Sequence, residues 1–134
     1  MPLITAPPTT AFGSLLSGER VLNLSIRPLY PDMPGLSGPA FTVRLEPGCN
    51  LMLHAAIYHA PAGSVLVVQS PDLRHAVAGG NVCLTAQQRG VTGMVIDGVI
   101  RDRAEVQVAR FPVFALGTAL SRAASGSSRF NVAA

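Results

Sequence analysis

Residues 79–105 read GGNVCLTAQQRGVTGMVIDGVIRDRAE, and this stretch decides the fold. Its first half predicts a helix over residues 81–89, with Asn81 as the N-cap and Gly90 as the stop. The apolar run MVI that follows predicts a short buried strand, closed by Asp97 and Gly98. A helix followed by such a strand is typical of an α/β domain with a parallel sheet.

Glycines precede this helix, and a charged pair follows the strand. Gly79 and Gly80 allow close approach to the helix start, where free amides and the helix dipole favour an anion. Arg101 and Asp102 come after the strand, and ligands of open α/β sheets bind at the carboxyl ends of strands. We therefore expect the guanidinium and the carboxylate to face the glycine pair.

Each feature also has a purely structural interpretation. Two glycines before a helix are common in a plain tight turn. Asp102 and Glu105 have the spacing of a helix capping box. Asp97 and Gly98 between apolar residues are also compatible with a hairpin turn. The residues alone leave these alternatives open.

Three segments together carry a resemblance to a known family. They are FTVRLEPGCNLMLHAAIYHAPAGSVLVV, AVAGGNVCLTAQQRGVTGMVIDGVIRDRAEV and FPVFALG. They resemble the family named for regulator of ribonuclease activity A, which includes divalent-metal-dependent aldolases of the 4-hydroxy-4-methyl-2-oxoglutarate type. The similarity covers residues 38–117, with a weaker echo at 121–132. One family variant has an acid at the helix start, and a second has glycine there and an acid just after the Arg-Asp pair. With Gly80 and Glu105, this chain is similar to the second variant.

The resemblance implies a layered β/β/α swivelling-domain core, a single α/β domain that assembles into homotrimers or hexamers. It also implies a divalent-metal-dependent lyase that acts on small 2-oxo acids, by retro-aldol cleavage to pyruvate or by oxaloacetate decarboxylation. Mg²⁺ or Mn²⁺ would be held by Asp102 and Glu105, and Arg101 would be catalytic by neutralising an enolate. The implied substrate-binding residues are Gly79, Gly80, Asn81, Val82, Cys83 and Arg101.

Two other functions remain open at this point. The family's namesake restrains a ribonuclease, so a non-catalytic ribonuclease-binding protein is one alternative. An inactive, shortened paralogue is the other, because the domain predicted for residues 38–134 ends where family members continue into further strands. Residues 1–37 are expected to form an irregular segment rich in proline and glycine.

Composition narrows the classes of protein and partner. The chain has 134 residues, the size of one domain, with 49% hydrophobic and 13% charged residues. No apolar run is long enough to span a bilayer, and residues 1–14 lack the pattern of a signal peptide, so we expect a cytoplasmic protein. The formal charge is +3, but the basic residues are scattered, which argues against nucleic acid as a partner.

Residue types also limit the chemistry. All ten basic residues are arginine, which excludes a Schiff-base lysine in this chain and favours a metal for carbonyl chemistry. Cys49 and Cys83 lack CxxC spacing and are expected to be buried free thiols. His54, His59 and His75 are expected to pack or face solvent and not to bind a metal.

The remaining elements follow from local patterns. In chain order they are a weak strand at 21–26, a strand at 40–45, a helix at 51–60, a strand at 64–69, a helical piece at 73–77, a helix at 103–108 and a strand at 111–115. The helix after Asn50 is predicted to bury a side that includes Leu51, Ala55 and Tyr58.

Overall fold

The computed structural model describes residues 8–120. Its strands are β1 (Arg27–Pro28), β2 (Ala40–Arg44), β3 (Val65–Gln69), β4 (Gly93–Asp97), β5 (Val99–Ile100), β6 (Val113–Ala115) and β7 (Gly117–Thr118). Its helices are α1 (Thr9–Gly13), α2 (Leu51–His59), α3 (Gly80–Gln88) and α4 (Arg103–Val108), with a 3-10 turn at Gly18–Arg20. Within residues 8–120, no helix is long and apolar enough to cross a membrane. The family echo predicted at 121–132 lies outside this range.

Five strands form the main sheet, in the order β1-β6-β4-β3-β2. β2, β3, β4 and β6 are parallel to one another, and β1 pairs antiparallel with β6 at one edge. β4 therefore lies inside a parallel sheet, as predicted from MVI. β5 pairs with β7 in a separate two-stranded sheet. The hairpin alternative at Asp97 and Gly98 is wrong, because β5 does not pair with β4.

One face of the main sheet is buried under helices α2, α3 and α4. The strands contribute alternate residues to this core, namely Val43, Leu66, Val68, Met94 and Ile96. The helices contribute Leu53, Ile57, Cys83, Ala86 and Val106. Alternation along the strands sets which residues enter the core, because successive side chains point to opposite faces. The predicted α/β class is confirmed, with two sheets and one layer of helices in a single domain.

The N-terminal segment is irregular but joins the same core. The weak strand predicted at 21–26 is wrong, since the only strand within residues 8–37 is β1. Leu29 and Tyr30, which follow, are buried, and the hydroxyl of Tyr30 donates to the Phe111 carbonyl at 2.9 Å. The hydrogen bond to β6 that makes β1 a strand comes from another part of the chain, so local alternation did not reveal it. The boundary at residue 37 stays a prediction.

Helix α2 buries a different side from the one predicted. Leu53, Ala56 and Ile57 are buried, whereas Tyr58 is 58% exposed. The helix is apolar on most of its circumference, so its sequence does not mark the side that meets the sheet. Asn50 does precede the helix, but its side chain does not cap it and instead donates to the Val77 carbonyl at 2.7 Å.

The helical piece predicted at 73–77 is also wrong. Residues 73–75 form bends and Ala76 a single bridge. The chain then runs beside β5, where the Val77 amide donates to the Val99 carbonyl and the Arg101 amide donates to the Ala78 carbonyl, at 2.9 and 3.0 Å. These bonds replace the local helical ones. The segment then delivers the chain to Gly79 and Gly80, next to the residues that follow β5.

Candidate active site

Helix α3 begins at the glycine pair, one residue earlier than predicted. Gly79 is the N-cap and Gly80 is the first helical residue, so the prediction of Asn81 as the cap is wrong. A Cβ at Gly79 would lie 2.5 Å from Asp102 Oδ2 and 3.1 Å from Arg101 Nε. A larger residue at this position would therefore displace the side chains of Asp102 and Arg101. The predicted stop is confirmed, since Gly90 has a φ of 89° directly after the helix end.

Asp102 caps α3 and not its own helix. It precedes α4 in the left-handed conformation, with a φ of 61°, and makes no side-chain cap there. Its Oδ2 instead accepts a hydrogen bond from the Gly80 amide at 3.0 Å. The capping-box alternative for Asp102 and Glu105 is therefore wrong. An aspartate in a left-handed conformation is one of the outliers that cluster at functional sites.

Arg101 lies over Gly79 beside Asp102. Its Nε is 3.6 Å from Asp102 Oδ2, and the two side chains are 37% and 33% exposed. A pair this long and this exposed contributes little to stability. The guanidinium therefore keeps donors available for a ligand that enters from solvent.

Glu105 contacts the same helix start from the first turn of α4. Its carboxylate and its Cβ occupy the space where a Cβ of Gly80 would lie. Asp102 and Glu105 thus lie against consecutive glycines, whose Cα atoms are about 3.8 Å apart. The structure brings together every residue singled out for the metal and for catalysis, namely Arg101, Asp102 and Glu105.

Two amides of this helix start remain available for an anion. The Gly80 amide donates to Asp102, and the Cys83 amide donates to the Gly79 carbonyl at 3.1 Å. The Asn81 and Val82 amides donate to no acceptor within residues 8–120. The resemblance also implied Cys83 as a substrate-binding residue, but its amide is already bonded within the helix.

The side chain of Cys83 faces the core. It is fully buried, and burial raises the pKa of its thiol to about 12, with a smaller contribution from the charge of Asp102. A neutral thiol is a poor nucleophile and a poor metal ligand. Cys83 therefore supports the site by packing, and the prediction of a buried free thiol is confirmed for it. Cys49 is a free thiol that is only partly buried.

An open cavity of about 450 Å³ adjoins the charged pair. Arg101, Asp102 and Arg103 line one side, and Thr118, Ala119 and Leu120 line the other. Sequence reasoning missed Thr118, because only the pairing of β5 with β7 brings it there. No local signal marks the short strand β7, so this wall of the site is a product of the tertiary fold.

The donor set at the site suits a hard divalent cation. Within residues 8–120, no group of three or more histidine, cysteine, aspartate and glutamate side chains forms a complete metal cage. Mg²⁺ needs no such cage, because it keeps several waters and is often held by one or two carboxylates together with substrate oxygens. The carboxylates of Asp102 and Glu105 fit this pattern. His75 lies in another cavity, where it bonds Asp72 and lowers the pKa of that carboxyl.

The family model described as "RraA-like: Aldolase/RraA" matches residues 9–134. The chain belongs to the RraA-like family. The family resemblance seen in the glycine pair and the Arg-Asp block is thus confirmed over almost the whole chain. The residues that define this block are the ones that the fold gathers at the start of α3.

Relatives of this RraA-like chain carry the name of an aldolase. A protein of Halalkalibacterium halodurans named "Putative 4-hydroxy-4-methyl-2-oxoglutarate aldolase" is 36% identical over 115 residues, which cover 85% of this chain and 54% of that protein. A protein of the same name from Burkholderia multivorans is 37% identical over 100 residues, covering 74% of this chain and 60% of that protein. The chain therefore spans little more than half the length of these curated relatives.

A solved structure confirms the fold. The RNA-processing inhibitor RraA from Thermus thermophilis superposes with a TM-score of 0.76 at 23% identity, over 92% of this chain and 75% of that one. At this identity the similarity speaks for the fold alone. It agrees with the mixed α/β domain seen here.

Proposed function

We propose that this RraA-like chain is a divalent-metal-dependent lyase that acts on small 2-oxo acids. The reaction would be retro-aldol cleavage of substrates of the 4-hydroxy-4-methyl-2-oxoglutarate type, decarboxylation of oxaloacetate, or both. The observation that carries the proposal is the convergence of Arg101, Asp102 and Glu105 on the glycine pair at the start of α3. The names of the relatives support an aldolase.

Both reactions make the same demand on the site. Each breaks a carbon–carbon bond and leaves its electron pair on pyruvate as an enolate, which a proton then converts to pyruvate. The other product is CO₂ in the decarboxylation and a second pyruvate in the retro-aldol cleavage, where the substrate hydroxyl gives up its proton as it becomes a carbonyl. An enzyme for either must hold the 2-oxo acid's carboxylate and stabilise negative charge on its carbonyl oxygen. One binding geometry therefore serves both substrates.

In this proposal, different residues of the chain bind the substrate carboxylate and stabilise the charge on its carbonyl oxygen. The free amides of Asn81 and Val82, at the positive end of the helix dipole, bind the substrate carboxylate. Arg101 reaches the carbonyl oxygen from above Gly79 and neutralises the charge that develops there. The fixed position of Asp102 against Gly80 keeps Arg101 beside the helix start.

A divalent cation completes the proposal. Asp102 and Glu105 would hold Mg²⁺ or Mn²⁺, which when bound supplies a Lewis acid that polarises the substrate carbonyl. Because this chain contains no lysine, an imine route to the same enolate is closed to it. We further propose a homotrimer or hexamer in the cytoplasm, with the site near a subunit boundary, as the family resemblance implies.

Pyruvate release is the direct test. The purified chain is assayed with oxaloacetate and with 4-hydroxy-4-methyl-2-oxoglutarate, after EDTA treatment and across a titration of Mg²⁺ and Mn²⁺. We expect pyruvate from at least one substrate only when metal is returned. Release that EDTA does not affect, or no release from either substrate at saturating metal, would contradict the proposal.

A second candidate is a ribonuclease-binding protein. RraAS2 of Streptomyces coelicolor, described as an unusual member of the RNase ES inhibitor RraA protein family, superposes with a TM-score of 0.62 at 27% identity, over 75% of this chain and 52% of that one. Such a role needs no Arg-Asp pair, so it leaves the gathered charges at α3 unexplained. A pull-down with an RNase E-type ribonuclease distinguishes the two candidates, and Arg101→Ala should not change the amount captured if binding is the function.

A further inference from the structure

A second arginine lines the cavity beside the candidate active site. Arg103 is the first residue of α4, and its side chain is exposed. It shares the open cavity of about 450 Å³ with Arg101, Asp102 and Thr118. The cavity therefore presents two guanidinium groups to a small ligand that enters it from solvent.

The charge of Arg103 has no evident role in the fold. Within residues 8–120 it forms no salt bridge, although Glu105 lies two residues further along the chain. Its place in the first turn of α4 puts a cation at the positive end of a helix dipole, where cations are unfavourable. Arg101 adds a like charge two residues before it. A residue that breaks a local rule in this way is expected at a functional site.

The two guanidinium groups are close enough to bind one small molecule. Arg101 and Arg103 are separated by Asp102 alone, so their Cα atoms are at most about 7.6 Å apart. Asp102 turns the chain between them in the left-handed conformation, and both arginines line the same cavity. In a diacid of four or five carbons the two carboxyl carbons are about 4–5 Å apart. A ligand of this length can therefore contact the start of α3 and Arg103 at the same time.

The balance of charge at the cavity favours a dianion. In the proposed function Asp102 and Glu105 hold a divalent cation, and their two negative charges cancel the charge of that cation. Arg101 and Arg103 then leave two positive charges. A 2-oxo acid with one carboxylate neutralises one of them, whereas a 2-oxo acid with two carboxylates neutralises both.

We propose that Arg103 is a specificity residue that binds the second carboxylate of a 2-oxo diacid. The first carboxylate lies at the free amides of Asn81 and Val82, and the carbonyl oxygen faces Arg101. The second carboxylate accepts two hydrogen bonds from the planar guanidinium of Arg103. This inference takes its class of ligand, 2-oxo acids, from the proposed function and adds that the site prefers diacids to monoacids.

Two unreactive acids test this preference without turnover. 2-Oxoglutarate has the second carboxylate, but it lacks the 4-hydroxyl that retro-aldol cleavage needs, and its second carboxylate is too far from the carbonyl for decarboxylation. 2-Oxopentanoate has the same carbon chain with a methyl group in place of that carboxylate. Isothermal titration calorimetry with the purified chain at saturating Mg²⁺ measures the Kd of each acid. We expect 2-oxoglutarate to bind about tenfold more tightly, the effect of one charge-assisted contact.

Substitutions at Arg103 should change the binding of the diacid alone. R103Q should weaken 2-oxoglutarate by about tenfold and leave the Kd of 2-oxopentanoate unchanged, because only the diacid loses a contact. R103E should reverse the preference, so that the monoacid binds more tightly than the diacid. Thermal melts of both variants should match that of the unsubstituted chain, since Arg103 is exposed and forms no salt bridge within residues 8–120.

A matched control separates this contact from a general effect of charge. R89Q removes one positive charge at the opposite end of α3, where Arg89 lies over the ring of Tyr58, and it should leave both Kd values unchanged. Equal binding of the two acids by the unsubstituted chain, binding of neither, or equal weakening of both acids in R103Q overturns the proposal.

The outcome is independent of the assay for pyruvate release. Preference for the diacid that R103Q abolishes, in a chain that releases no pyruvate, would support the role of Arg103 and contradict the proposed lyase. Pyruvate release in a chain whose R103Q variant binds both acids as before would support the lyase and overturn the role of Arg103.

Discussion

Glu105 fills the space that a side chain at Gly80 would need. A Cβ on Gly80 would meet the Glu105 carboxylate and lie 3.0 Å from the Glu105 Cβ. The two positions are 25 residues apart in sequence, yet they can deliver a carboxylate to the same place. The two family patterns that the resemblance implies, an acid at the helix start or an acid after the Arg-Asp pair, would therefore place a carboxylate at the same point.

The first prediction concerns moving the carboxylate from position 105 to position 80. Glu105→Ala should raise the Mg²⁺ concentration for half-maximal pyruvate release by about tenfold or more, which corresponds to about 1.4 kcal/mol of metal binding. Adding Gly80→Asp to Glu105→Ala should recover part of that loss. Gly80→Asp with Glu105 present is the control, and it should destabilise the chain because both side chains need one space. A double variant no better than Glu105→Ala would show that the positions are not equivalent.

The second prediction concerns Asp102→Asn. Asparagine tolerates the left-handed backbone, and its carbonyl can still accept from the Gly80 amide, so the fold should survive. Loss of the negative charge should lower kcat/KM by about a hundredfold or more, or about 2.7 kcal/mol. The measurement is the rate at saturating Mg²⁺, alongside a thermal melt. Rates near those of the unsubstituted chain would leave Asp102 as a helix cap only and favour ribonuclease binding.

The third prediction is that Arg101→Lys lowers the activity although it retains the positive charge. An ammonium is a point charge and does not offer the planar donor fork that a carbonyl and a carboxylate need. We expect kcat/KM to fall by about tenfold or more, or about 1.4 kcal/mol. Arg89→Lys keeps a cation on the exposed ring of Tyr58 and should leave the rate unchanged. Equal rates for the two variants would remove Arg101 from the proposed mechanism.

The fourth prediction tests how the N-terminal segment is attached. Tyr30→Phe removes the hydroxyl that bonds the Phe111 carbonyl and leaves that acceptor buried without its partner. The free energy of unfolding should fall by about 1–3 kcal/mol. Tyr58→Phe is the matched control, since Tyr58 is 58% exposed and should have little effect. Chemical denaturation measures both, and equal stabilities would show that this hydrogen bond contributes nothing.

The fifth prediction concerns alkaline pH. Burial raises the pKa of Cys83 from 9.0 in the unfolded chain to about 12 in the folded one, so the folded state retains the proton longer. The contribution of this group to stability is therefore complete below pH 9 and is lost as the pH rises from about 9 to 12. Cys83→Ala should flatten this part of the curve of unfolding free energy against pH.

A thiol reagent checks the same environment independently. Below pH 9 the partly buried Cys49 should react readily, while the fully buried Cys83 should react only as fast as the chain opens. Fast modification of both thiols in the folded chain would contradict the burial of Cys83 in the hydrophobic core.

The sequence by itself determined the elements whose signal is local. The apolar runs that became β3 and β4, the capped pattern around α3 and the short helix α4 all appear within windows of ten residues or fewer. Periodicity and glycine positions act over that range, so strand, helix and stop could be predicted together with an α/β class. The candidate site residues could be predicted for the same reason, because the pair Gly79-Gly80 and the pair Arg101-Asp102 are each short contiguous motifs.

Only the tertiary structure decided what those parts contact. Asp102 bonds an amide 22 residues before it, although the residues around it suggest a cap of its own helix. The buried side of α2 depends on which way the helix meets the sheet, since its sequence is apolar on most sides. Strand register alone places Arg44, Gln69 and Asp97 side by side on β2, β3 and β4. Each of these is a contact between distant residues, and its energy comes from burial and hydrogen bonding that no local window contains.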